Sequence, residues 1–131
     1  MPGYTHINLK TDVEDMAPKF GFAPNLESHF ARKPLGLEKS GITYYRVAPD
    51  YRIPFGHKHG EQEEIYLLLS GSARMKLDDD IVELGPLDAL RVPPEVIRAF
   101  EAGPEGAEIV AFGAPSNENR DAEMVQEWWT D

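Results

Sequence analysis

From Gly41 onward the apolar residues of this chain recur at about every second position, in short runs cut by glycine and proline. A period of two puts successive side chains on opposite faces of a strand, so one face can be buried while the other stays wet. The clearest run is residues 72–77, where Ala73, Met75 and Leu77 share one face and Arg74 and Lys76 the other. Residues 42–47, 63–70, 81–84, 87–92, 96–102 and 107–112 complete a set of seven short strands. Gly71, the acidic turn 78–80, Gly85-Pro86, Pro93-Pro94, Gly103-Pro104 and Gly106 stand between them. Short strands punctuated this regularly make an all-β sandwich or barrel.

The 131 residues are read as a single domain, 1–131, long enough to bury a real core. Its barrel covers about 41–113, with an N-terminal arm at 1–40 and a C-terminal tail at 114–131. In the arm, Thr11-Asp12-Val13-Glu14 fits a capping box and Pro18 ends whatever it starts, so one short helical turn is expected there. The tail, NENRDAEMVQEWWTD, reads as a short helix or an extended segment. Trp128 and Trp129 are adjacent and point in different directions on either element, so at least one should pack on the barrel or a partner chain.

A formal net charge of −10 argues against nucleic acid and anionic membranes as partners. The absence of cysteine removes disulfides, thiolate nucleophiles and thiolate metal sites, and leans toward the cytoplasm. No signal peptide is visible at the N-terminus, and the apolar run 65–69 is far too short to span a bilayer.

Against that background the stretch FGHKHGEQEEIYLLLSG stands out. His57 and His59 are two apart, so on a strand both imidazoles can reach one interior point. Gly60-Glu61-Gln62 can reverse the chain and return Glu64, rather than Glu63, toward that point. Two histidines and one carboxylate with open positions resemble the facial triad of non-haem iron sites. His6 and His29 fit no such spacing and read as surface or packing residues, and Asp78, Asp79 and Asp80 as a solvated turn. No serine–histidine–aspartate order, glycine-rich phosphate loop or helix-borne H-E-x-x-H is present.

The order His57-x-His59, four residues, Glu64, six residues, Gly71 resembles the first motif of the cupin superfamily, and the resemblance extends over roughly residues 41–113. It implies a small antiparallel jelly-roll β-barrel in which His57, His59 and Glu64 bind a divalent metal, such as Fe, Mn, Zn or Ni. It also implies a homodimer paired through sheet edges. A second cupin motif is expected in GPLDALRVPPEVIRAF, where Gly85 and Pro93 match its glycine and first proline. Two positions depart from the pattern: Glu95 stands where a turn glycine is usual, and Arg98 where the last metal-binding histidine belongs.

A guanidinium has no lone pair, so Arg98 cannot be a fourth ligand, and its charge opposes a cation nearby. Three uses remain for it: pairing with Glu64, binding the anionic group of a ligand, or snorkelling outward. Tyr66 shares the inward parity of Glu64, and Phe100 that of Arg98. With Met75 they are expected to line a small ligand cavity, Arg98 and Tyr66 being the candidates for a catalytic role. The expected function is a metal-binding small-molecule enzyme or binding protein, its chemistry an oxygenation, isomerisation or decarboxylation of a small organic acid. The alternative is a metal-free binding module or dimeric scaffold in which Arg98 pairs with Glu64.

Overall fold

The computed structural model describes residues 3–116 and 121–131. Two short helices, α1 (Ala17–Phe20) and α2 (Arg32–Leu35), flank β1 (Leu26–Phe30) in the arm. There follow β2 (Gly41–Val47), β3 (Gly56–Lys58), β4 (Glu63–Leu77), β5 (Asp80–Leu84), β6 (Ala89–Val92), β7 (Arg98–Ala114) and β8 (Glu123–Val125). Every pairing is antiparallel.

The long strands β4 and β7 organise the rest. They pair with each other from Glu63–Ala114 at one end to Leu77–Arg98 at the other. In the first half of β4 the neighbours run β1-β2-β7-β4-β6; in the second half they run β8-β3-β7-β4-β5. A single curled sheet thus doubles back on itself as a jelly roll. Its core draws on both halves: Tyr66, Leu68, Ile109 and Ala111 from one, Met75, Phe100 and Ala102 from the other. Alternate residues of β4 and β7 supply these side chains, as the period-two pattern requires.

Expected breaks inside the strand runs prove to be bends. The runs 63–70 and 72–77 are one strand, with irregular register on either side of Gly71, and 96–102 and 107–112 are joined through Gly103 and Gly106. Glycine is required at Gly71 because its φ is +78° and an added Cβ would lie 2.0 Å from the Gly106 carbonyl oxygen. Gly71→Ala is therefore expected to lower the unfolding free energy by about 2 kcal/mol or more in urea titration. A loss below about 0.5 kcal/mol would show that the two bends can move apart.

The arm departs from expectation in detail. Residues 8–12 form a turn in which the Asn8 carboxamide oxygen accepts the N–H groups of Lys10 and Thr11. The helix starts at Ala17, with Pro18 in its first turn, where a missing N–H removes no helical bond. Asp15 accepts the N–H groups of Ala17 and Ser28 and ties α1 to β1. His29 is a packing histidine, buried with Nδ1 donating to the Val13 carbonyl, and His6 is exposed. The tail is extended: β8 pairs with β3, and both tryptophans pack against the core. Among the described residues no helix is long and apolar enough to cross a membrane.

Candidate functional site

Glu64, the second residue of β4, lies in register with Val92 and Gly113 in one half of the barrel. His57 on β3 is paired with Arg98 on β7 in the other half. Closing the halves brings the Nε2 atom of His57 to 3.4 Å from Glu64 Oε1. His59 sits just past β3, its backbone N–H fixed on the Pro94 carbonyl at 2.8 Å. Its Nε2 approaches the same oxygen to 3.3 Å. The i, i+2 spacing and the polar turn after it thus deliver the convergence that the sequence suggests.

Arg98 and Tyr66 also meet at that oxygen. Arg98 is completely buried and donates from Nη2 to Glu64 Oε1 at 2.9 Å. Its Nη1 donates to the Val96 carbonyl at 2.7 Å and the Pro94 carbonyl at 3.3 Å, so the turn after β6 cradles the guanidinium. Burial to this extent leaves no room for outward snorkelling. The Tyr66 hydroxyl donates to Glu64 Oε1 at 2.8 Å. Phe100 stands edge-on to Tyr66, and Met75 is fully buried in the apolar cluster behind them.

One member of the site carried no signal in the sequence. Asp121, in the tail, accepts a hydrogen bond from His59 Nδ1 at 2.7 Å and takes the N–H groups of Glu61 and Gln62 on its other oxygen. It stands 62 residues from His59 in a polar segment without periodicity, so no spacing rule relates the two.

These contacts set the charges. Burial pushes the Glu64 carboxyl up, but the neighbouring His57 and His59 imidazoles and the charge of Arg98 reverse this and hold it well below the usual range. Burial alone would lower His59; Glu64 and Asp121 outweigh it and raise the imidazole above its ordinary value. Burial likewise raises Asp121, yet the Glu61 amide, His59 and the Gln62 amide bring it down to about 2. Burial, and then the charge of Glu64, keep the Tyr66 phenol well above its usual value, so it remains a donor.

The lone pairs define what else this site accommodates. Asp121 is ionised and only accepts, so His59 Nδ1 carries a hydrogen, and neutral His59 turns a bare Nε2 toward Glu64. That buried nitrogen has no hydrogen-bond partner. Two acceptors facing each other at 3.3 Å call for a positive charge between them, either a second proton on His59 or a metal ion. Donor atoms of His57, His59 and Glu64 all lie within 4.8 Å of one another, and the three could hold an ion. Neighbouring ligands on one ion at about 2.1 Å lie about 3.0–3.4 Å apart, which the spacings to Glu64 match. The fixed charge of Arg98 works against a cation there.

The strand order and the doubled-back sheet make a cupin fold, the double-stranded β-helix. Solved structures bear this out. A cupin protein from Bacteroides fragilis superposes with a TM-score of 0.72 at 21% identity, over 90% of this chain and 89% of that one. The polyketide cyclase RemF from Streptomyces resistomycificus gives 0.73 at 21%, over 97% and 87%. Pac13 from Streptomyces, a nucleoside dehydratase, gives 0.73 at 16%, over 95% of each chain. No family model matches the sequence, and neither does any curated protein.

Proposed function

We propose that this chain is a cupin-type small-molecule enzyme or binding protein whose centre is a divalent ion held by His57, His59 and Glu64. The observation that carries this reading is the buried, unpartnered Nε2 of His59 facing Glu64 beside His57. A divalent ion there would supply a Lewis acid for a carbonyl or carboxylate oxygen. The chain's own residues set the surroundings. Arg98 and ionised Glu64 cancel, so the centre with its ion stays positive and favours a small anionic ligand such as an organic acid. Tyr66 keeps its proton and holds Glu64 in place. That RemF is a polyketide cyclase and Pac13 a nucleoside dehydratase on this fold supports a catalytic role for this chain. The edges of β5 and β6, each paired with β4 alone among the described residues, suit a homodimer.

Protein purified without chelators is expected to contain close to one Fe, Mn, Zn or Ni per chain by elemental analysis. The double variant His57→Ala/His59→Ala should lose that metal while its circular dichroism stays unchanged. A specific observation favours a second reading: the 2.9 Å pair between Arg98 and Glu64 already gives the acid a cation. Wild-type protein that remains metal-free after incubation with each of the four ions would leave this metal-free binding module standing and end the first reading.

A further inference from the structure

We propose that Asp121 is a positioning residue that fixes the tautomer of His59 and locks the turn that carries it, so that the tail completes the centre the barrel begins. Both carboxylate oxygens are committed. Oδ1 accepts from His59 Nδ1 at 2.7 Å, and Oδ2 accepts from the backbone N–H groups of Glu61 at 2.7 Å and Gln62 at 3.1 Å. One side chain thereby orients the ring and holds the residues that lead from it back into β4. Without that acceptor, the nearest partner for His59 is Glu64 Oε1, 3.3 Å from Nε2. Glu64 selects the opposite tautomer, with hydrogen on Nε2 and no lone pair left for an ion. Asp121 therefore decides whether His59 faces the centre as a donor of hydrogen or of electrons.

The tail is built to hold Asp121 there. Directly after it, β8 pairs with β3 in the register Lys58–Glu123, His57–Met124 and Gly56–Val125, alongside the strand that carries His57. Further on, the Trp129 indole N–H donates to the Ile53 carbonyl at 2.7 Å, and the Arg52 guanidinium lies 4.2 Å from the ring centre. Asp131 bridges Arg52 and Arg74 at 3.1 and 3.0 Å. Lys76 donates to the Trp128 carbonyl at 2.8 Å. A segment fastened at its far end to three cations and a backbone carbonyl is a fixed arm.

The tautomer half of the proposal stands on these contacts alone; the consequence for metal rests on the proposed function. Long-range nitrogen–proton NMR of histidine-labelled, metal-free protein, recorded at the pH where the His59 ring nitrogen shifts stop changing and the ring is neutral, tests the first. Wild-type His59 is expected to carry its hydrogen on Nδ1 and Asp121→Ala to shift it to Nε2. A wild-type spectrum with hydrogen on Nε2 overturns the proposal whether or not the variant folds, and so does a folded variant with unchanged tautomer. Calorimetry with Zn2+ and Mn2+ tests the second, with binding expected to weaken about 10–100-fold in Asp121→Ala. Equal affinity in a variant whose tautomer has shifted also overturns it. A wild type that binds neither ion removes the metal reading of the site and leaves the tautomer measurement to decide the role of Asp121.

Discussion

Replacing Arg98 with methionine is expected to lower the unfolding free energy of the metal-free protein by about 3–5 kcal/mol, a large share of a total of about 5–15 kcal/mol. Methionine fills much of the guanidinium's volume but returns none of its bonds. The Glu64 carboxylate, 13% exposed in wild type, loses the guanidinium, the Val96 carbonyl loses its side-chain donor, and the Pro94 carbonyl is left with the His59 N–H. An uncompensated buried charge, rather than the lost attraction itself, dominates the cost. Removing the charge should therefore rescue the loss: Glu64→Gln combined with Arg98→Met is expected to recover about 2 kcal/mol or more relative to the sum of the single changes. Guanidinium titration in a chelator measures all four species, and additive losses would show that the pair is not coupled. The pH dependence has a definite sign. Glu64 holds its proton less tightly folded than unfolded, so its contribution is complete above the ordinary carboxylate range and falls away as pH drops through that range toward its depressed folded value. Loss of Arg98 weakens that depression, so the variant should lose less stability than wild type as pH falls through that range.

The same pair shows where the sequence was informative. Period-two alternation located strands at β2 and at β4 through β7, because one buried face needs apolar residues at alternate positions. It also fixed the parity of Glu64 and Tyr66, and the two-residue step of His57 and His59. Glycine and proline were less reliable, since a breaker says that the backbone is unusual without saying whether the strand ends. Gly71 and Gly106 mark bends where β4 and β7 press together, a requirement visible only in three dimensions. Pro18 begins a helix that it was expected to end. The arm strand β1 and the tail strand β8 gave little periodic signal, because each is short and paired along a single edge for most of its length. Asp121 was invisible for the same reason: its role is created by the pairing of β8 with β3. Arg98 offered three uses in sequence, and only the fold puts its Nη2 on Glu64, since the two residues lie on different halves of the barrel.

Replacing Arg98 with histidine is expected to change the other large quantity, raising affinity for Zn2+ or Mn2+ at least about 100-fold. Two contributions act in the same direction. Histidine brings a lone pair to a position where the guanidinium has none. Its neutral form also removes a fixed positive charge that sits 2.9 Å from the oxygen any ion would share. Two unit charges about 5 Å apart at an effective dielectric of 20 oppose each other by about 3 kcal/mol, and a divalent ion doubles this. The 100-fold figure corresponds to about 2.7 kcal/mol, less than half of that repulsion, because Glu64 and solvent already screen part of it. The variant will be less stable than wild type without metal, for the reasons that apply to methionine, and should regain stability as metal is added. Calorimetry gives the affinity and thermal unfolding with and without metal gives the linkage. Equal or weaker binding in folded Arg98→His protein would mean that His57, His59 and Glu64 do not gather an ion beside this residue. The charge that Arg98 brings to Glu64 would then be the one the site is built to use.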